Sequence, residues 1–206
     1  MRILAIADTH GRLPKLNASK ADCIMIAGDI CPPRGRIPEA QLPWLECIFA
    51  PWVESLGKPV YLTLGNHDFC NYFKGPPNLR YGTESIIDDV LLFSWTPKLD
   101  NWAWEAEEDV LDEKLEALLD KGQTPSVWLT HSPPWGICDG WGDAPDLHNG
   151  SHALRAAVEK YQPRLVICGH IHAGAGIGKL GQTKIYNVSI LDGDRGWFGQ
   201  PVRIAI

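Results

Sequence analysis

Short apolar runs that stop abruptly at polar residues constrain this chain more than any other feature. The fullest is Val60 to Leu64, which halts at Gly65 and releases Asn66, His67 and Asp68 together. A β-prone run of this length bounded by glycine reads as a buried strand. Side chains just past such a strand stand at the rim of the sheet, where open α/β sheets build their sites. Asn, His and Asp in a row offer a neutral oxygen ligand, a proton donor and a carboxylate able to orient that donor. Taken alone, the stretch also fits an ordinary strand-end turn, because Gly and Asn suit turns for backbone reasons.

The same grammar recurs four times. Arg2 to Ala7 runs into Asp8, Thr9 and His10, and Asp22 to Ala27 ends in Gly28 and Asp29. Ser126 to Thr130 ends in His131, and Arg164 to Cys168 ends in Gly169, His170, Ile171 and His172. Residues two apart on an extended segment point the same way, so Asp8 with His10, and His170 with His172, can each grip one ion. The set mixes imidazole, carboxylate and amide without thiolate, and it exceeds what one tetrahedral zinc takes. It suits two borderline divalent ions, drawn from Mn, Fe, Co, Ni and Zn, with Mn favoured. Two ions about 3.5–4 Å apart activate water and clamp a phosphoryl group.

Between these runs lie helical patterns and two long loops. Trp44, Leu45, Ile48, Phe49, Trp52, Val53 and Leu56 recur at helical spacing, interrupted by Pro51, which predicts a kink or two pieces ending at Gly57. Residues 69–83 carry Gly75, Pro76 and Pro77 and read as a long loop. Glu84 to Ile87 and Val90 to Trp95 read as a hairpin around Asp88 and Asp89, and 100–104 as an aromatic loop. Val110, Leu111, Leu115, Leu118 and Leu119 mark one face of a helix over 107–120. Residues 132–150 form the second long loop, and Ser151 caps a helix bearing Leu154, Ala157, Val158 and Tyr161. Further strands are expected over 184–190 and 202–206. The expectation is one mixed α/β domain over residues 1–206.

The five motifs together resemble the calcineurin-like metallophosphoesterase superfamily. They are Asp8-x-His10, Gly28-Asp29, Gly65-Asn66-His67-Asp68, Thr130-His131 and Gly169-His170-x-His172. Thr130 to Pro134 and Tyr186 to Ser189 look like the branch of metallophosphoesterase-domain-containing, class III phosphodiesterase-like proteins. The resemblance implies a four-layer αββα sandwich, two mixed β-sheets flanked by helices. It implies that Asp8, His10, Asp29 and His172 hold one metal, and that Asp29, Asn66, His131 and His170 hold the second, with Asp29 bridging.

The expected activity is hydrolysis of a small phosphodiester, with a cyclic nucleotide as one candidate, by in-line attack of a water or hydroxide shared by the two ions. His67 is the expected proton donor to the leaving oxygen, with Asp68 orienting it. His148 and His152 read plainly as solvent-facing residues; on the sharper reading His148 binds substrate from the second long loop. Arg34, Arg36, Lys74 and Arg80 lie in loops where a phosphate could meet them. The alternatives are a phosphomonoesterase or nucleotide-polyphosphate hydrolase on the same site, and a metal-binding scaffold for protein contacts. The net charge of −6 argues against a nucleic-acid polymer as partner, no apolar stretch has the length of a membrane span, and self-association is left open. Six cysteines without a Cys-x-x-Cys pair read as reduced thiols in a cytoplasmic protein. Exposure of Trp44, Trp52, Trp135, Trp141 or Trp197 would favour a partner surface.

Overall fold

The computed structural model describes residues 1–33, 35–120, 122, 124–141, 144–191, 196 and 199–206, the side chain of Pro145 excepted. Its strands are β1 (Arg2–Ile6), β2 (Cys23–Ala27), β3 (Val60–Thr63), β4 (Leu79–Gly82), β5 (Glu84–Ile87), β6 (Val90–Phe93), β7 (Thr96–Pro97), β8 (Glu105–Ala106), β9 (Val127–Thr130), β10 (Gly140–Trp141), β11 (Ala144–His148), β12 (Leu165–Cys168), β13 (Gly176–Leu180), β14 (Thr183–Asn187) and β15 (Val202–Ala205). The helices are α1 (Pro38–Trp44), α2 (Ala50–Ser55), α3 (Glu108–Leu119) and α4 (His152–Tyr161).

One sheet has the order β15-β1-β2-β3-β4 and the other β13-β14-β12-β9-β6-β5. In the first, β1 to β4 are parallel and β15 is an antiparallel edge. In the second, β14, β12, β9 and β6 are parallel, with antiparallel β13 and β5 at the edges. The parallel strands are buried on both faces, which is why they read as unbroken apolar runs rather than as alternating ones.

Side-chain alternation lets each sheet feed two cores. Leu4, Ile6, Ile24, Ile26 and Leu62 pack outward on Trp44, Leu45, Phe49 and Val53. Their neighbours Ile3, Ala5, Cys23 and Met25 face inward onto Leu92, Leu129, Leu165 and Ile167 of the second sheet. Leu91, Phe93, Trp128 and Val166 then face out onto Leu111, Leu115, Leu154 and Val158 of α3 and α4. Helices, sheet, sheet, helices: the four layers follow from three apolar interfaces. Each fully buried aliphatic side chain in them contributes about 1.5–3 kcal/mol.

Four expectations change. The helix around Pro51 comes in two α-helical pieces, α1 and α2, but they are joined end to end rather than separated. It starts at Pro38 and runs on through a π-helical stretch, Leu45–Phe49. Pro51 has no N–H to offer the carbonyl four residues back, and the Ala50 N–H bonds Leu45 instead, a wider turn that absorbs the defect. Within the expected loop 69–83, β4 adds a parallel strand beside β3. Gly176–Leu180 adds an antiparallel edge to β14 that its glycines conceal in sequence. The second long loop contains a small ribbon, β10 with β11. The expected hairpin forms, and Asp88 and Asp89 both take positive φ at its turn (51° and 68°), the backbone a two-residue turn requires. Among the described residues no helix is long and apolar enough to cross a membrane.

Candidate metal centre

The C-terminal ends of β1, β2, β3, β9 and β12 meet at one rim, where the two sheets are stitched together. Ala7 donates its N–H to Val188 (3.0 Å), and Val188 donates to Cys168 (2.8 Å). The first two loops zip in parallel: Asp8 donates to Gly28, His10 to Asp29 and Gly11 to Ile30. These bonds hold Asp8, His10 and Asp29 at positive φ (57°, 42° and 52°), and His170, whose backbone N–H donates to the Asp8 carboxylate, is at 67°. Such backbone is costly for residues with a Cβ and persists where surrounding structure over-determines it, as at functional sites. Gly65 leaves room for the cluster. A Cβ there would strike the Asp29 carboxylate and lie 2.6 Å from a His131 ring carbon.

The donors fall into two halves. In one, His10 Nε2 lies 3.4 Å from His172 Nε2 and 3.7 Å from Asp29 Oδ2, and His172 Nε2 lies 3.6 Å from Asp8 Oδ1. In the other, His131 Nε2 lies 3.1 Å from Asn66 Oδ1 and 3.5 Å from Asp29 Oδ1, and its ring meets that of His170 edge to face at 4.9 Å. The two oxygens of Asp29 thus face different halves. Asp8 also reaches both, since its carboxylate lies within 4.8 Å of ligand atoms of His10 and His172 and of Asp29 and His131.

The chemistry of this donor set fits cations. His131 donates Nδ1–H to the Ala27 carbonyl at 2.7 Å, so Nε2 is left with a lone pair. Asn66 turns its amide N–H toward Glu105, so its oxygen is the atom facing that lone pair. Two acceptors and a carboxylate converge there with no proton between them. Burial, reinforced for His170 by neighbouring imidazoles, pushes His131 below the ordinary histidine range and His170 well below it, leaving both as neutral ligands. His170 Nε2 is buried with no hydrogen-bond partner among the described residues. Burial raises the Asp8 carboxyl, but His172, His131 and His10 outweigh it and hold it below the usual carboxylate range.

The calcineurin-like phosphoesterase family model matches residues 1–174. The chain belongs to this family. A human metallophosphoesterase domain-containing protein 1 is 24% identical over 92% of this chain and 66% of its own length. A UPF0046 protein of Caenorhabditis elegans is 30% identical over 52% of this chain and 26% of its own. The chain therefore spans less than two thirds of either relative. A Synechococcus protein named as a probable cyclic nucleotide phosphodiesterase is 32% identical over 59% of this chain and 49% of its own. Among solved structures, TT1561 of Thermus thermophilus shares the fold with a TM-score of 0.60, at 17% identity over 90% of this chain and 88% of that one. GAP50, the anchor in the inner membrane complex of Plasmodium, does so at 0.54, with 12% identity over 100% and 77%.

Phosphoesterases of this family are metal-dependent, and the rim brings seven expected ligands, Asp8, His10, Asp29, Asn66, His131, His170 and His172, into one cluster. His67 joins them. Its Nε2 is 4.0 Å from Asp29 Oδ2, its N–H donates to Asp29 Oδ1 at 2.8 Å, and its carbonyl accepts from Gln41 at 2.7 Å.

Asp68 is placed differently from the expectation. Its carboxylate accepts backbone N–H bonds from Ile30, Cys31 and Gly65 at 2.8–3.2 Å, tying the β2 loop to the β3 loop. Among the described residues, the carboxylate within ion-pair reach of His67 is Asp29. Neighbouring residues in a turn point apart, so adjacency in sequence does not make a pair. Burial pushes the Asp68 carboxyl up, against the pull of those N–H donors.

His148 stands on the second long loop with Nδ1 2.8 Å from the buried Asp139, and His152 stacks on Trp135 at 4.7 Å. Arg80 pairs with Asp88 at the hairpin turn, away from the rim. Arg36 lies over the ring of Trp102, and Lys74 is on the surface. Arg34 and Trp197 lie outside the described residues. Of the other tryptophans weighed as a partner surface, Trp141 is exposed, Trp44 is buried, and Trp52 and Trp135 are half-buried.

Sequence reasoning missed Ser189, Gln41 and Glu105. Ser189 donates its hydroxyl to the Asp8 carboxylate and its backbone N–H to the side-chain oxygen of Asn187, whose amide holds the carbonyls of Cys138 and Ile171. Gln41 also accepts from Phe69 and Cys70. Its one signal in sequence is a polar side chain three and four residues before Trp44 and Leu45, on their apolar helix face.

Proposed function

We propose that this chain is a dinuclear-metal-dependent phosphoesterase that hydrolyses a small phosphodiester. The observation that carries the reading is Asp29, whose two oxygens face separate donor halves, so that one carboxylate could serve both ions. Asp8, His10, Asp29 and His172 would hold one ion, and Asp29, Asn66, His131 and His170 the other. When bound, the ions would supply Lewis-acid neutralisation of the phosphoryl charge and acidify a water. A nitrogen- and oxygen-rich set of this kind suits Mn.

His67 gives the proton on Nε2 to the departing oxygen, which keeps the electron pair of the broken P–O bond. The water that forms the new P–O bond loses one proton to solvent, and His67 regains one from solvent after the alcohol departs. His67 is suited to this by its place beside Asp29, with its backbone pinned on both sides. Asp68 acts through the loops it ties. His148, oriented by Asp139, is read as a substrate contact from the flanking loop. The relative named as a probable cyclic nucleotide phosphodiesterase supports a cyclic nucleotide as the diester to test first. Residues 1–206 are read as one domain, supported by β15 pairing with β1. Free thiols at all six cysteines support a reducing compartment such as the cytoplasm.

The test is hydrolysis of a generic phosphodiester and a monoester with Mn added, beside Asp29→Ala and His67→Ala. The reading expects diester turnover, loss of metal and activity in Asp29→Ala, and slow turnover with metal retained in His67→Ala. Preference for the monoester would move the substrate class. A folded, metal-loaded protein inert on both would overturn the enzyme.

A further inference from the structure

The ring of His67 is held from a direction its own strand does not supply. It lies against Trp102, with ring centroids 4.1 Å apart and planes at 35°. The edge of His10 meets it at 5.0 Å. The guanidinium of Arg36 covers Trp102 at 3.5 Å from the ring centroid and is itself held by the carbonyl and carboxylate of Asp100. Arg36 and the loop 98–104 thus close over the His67 side of the rim.

The loop under Trp102 is anchored to the same strand end. Glu105 Oε2 accepts the N–H groups of Leu99, Asp100 and Trp102, while Oε1 faces the amide of Asn66 at 3.5 Å. Ala103 donates its N–H to the Asn66 carbonyl at 3.0 Å. The Trp102 backbone is therefore registered to Asn66, one residue from His67. Trp102 meets His67 on its ring and carries Arg36 over its own ring, so it is a wedge between the two. A proton donor needs one ring orientation in the transition state, and a free imidazole has several.

We infer that Trp102, clamped by Arg36, is a positioning residue that aims the His67 imidazole at the leaving oxygen. The inference rests on the proposed role of His67 as donor. A misaimed donor matters most when the leaving oxygen is basic and needs its proton, and least when it departs as a stable phenolate.

The test compares two diesters on the Mn-loaded protein, one releasing nitrophenolate and one releasing an alkyl alcohol. In Trp102→Ala, kcat on the alkyl diester is expected to fall about 10- to 100-fold, within the range for general-acid catalysis. On the nitrophenyl diester it is expected to fall several-fold less, with KM and bound metal unchanged. Trp102→Phe is expected to restore most of the loss, and Arg36→Ala, a surface change, to reproduce a smaller part of it. In metal-free protein, diethyl pyrocarbonate is expected to modify His67 faster in Trp102→Ala than in wild type, read by peptide mass. Equal losses on both diesters, loss of metal, or an unchanged modification rate would overturn the inference while His67→Ala retains its leaving-group selectivity. If His67→Ala shows no such selectivity, the donor role itself falls, and this inference with it.

Discussion

The two ends of the same strands carry charge in opposite ways. At the start of β1 and β2, Arg2 pairs with Asp22 at 2.6 Å, and both side chains are exposed to water (63% and 43%). At the hairpin turn Arg80 pairs with Asp88, which also accepts from Tyr61, and Asp89 accepts from Ser126. Each of these interactions is complete in itself. At the other end Asp8, Asp29 and His131 are almost wholly buried, and lone pairs face lone pairs. Exposed pairs leave their charges hydrated and contribute little to stability, whereas a buried carboxylate costs several kcal/mol unless something compensates it. One end holds the sheets in register. The other gathers the buried donors that, on the proposed reading, two ions would hold.

The sharpest way to break that contrast is Asp29→Ala. It removes the carboxylate common to both halves, so bound metal, measured by elemental analysis, is expected to fall to background. Turnover is expected to drop at least about 10³-fold. Retention of two ions per chain would show that Asp8, which also reaches both halves, is the bridge.

Asp68→Ala comes next. It strands three buried backbone N–H groups, each worth about 1–3 kcal/mol when unpaired, so urea denaturation should register about 3–9 kcal/mol. If Asp68→Asn unfolds like wild type yet shares the leaving-group selectivity of His67→Ala, Asp68 orients the histidine after all.

Metal itself should separate the two ends. Mn at about 100 times its dissociation constant adds about 2.7 kcal/mol, or roughly 5–10 °C in thermal midpoint for a chain of this size. A chelator should reverse the shift. Asp22→Asn should keep it, and Asp29→Ala should abolish it. A shift that survives Asp29→Ala would place the stabilising ion elsewhere.

The smallest effect belongs to Asp22→Asn. Hydrogen bonds from Arg2 hold the Asp22 carboxyl down at about 2, against 3.8 when free. Its contribution is therefore present above pH 3.8 and is lost as pH falls through about 2. Calorimetry of wild type against the variant should show a slight difference at pH 5 that shrinks below pH 3.8. A difference larger than that of any rim variant would erase the distinction between the ends.

The rim was legible because strand ends have a local signature. An apolar run, a glycine and a ligand-competent side chain are all written within a few residues, and β1, β2, β3, β9 and β12 repeat it. β4 was illegible because Gly75, Pro76 and Pro77 just before it make the stretch read as a loop, and β13 because its glycines break any alternation. The π-helical turn was illegible because Pro51 announces a broken hydrogen bond but not how the chain absorbs it. Ser189, Gln41, Glu105 and Trp102 act on residues 26 to 181 positions away in the chain, or through a loop without periodicity.

By itself, then, the order of residues determined which side chains are competent to bind metal and that they stand at strand ends. Those properties depend on side-chain type and on backbone preference within a few residues. Only the tertiary structure decided that Asp29 turns one oxygen to each half, that Asp68 ties loops instead of aiming His67, and that Trp102 lies against the His67 ring. Hydrogen-bond direction and ring contact depend on where a second segment passes within about 3–4 Å, and that path is set by how two sheets and four helices pack.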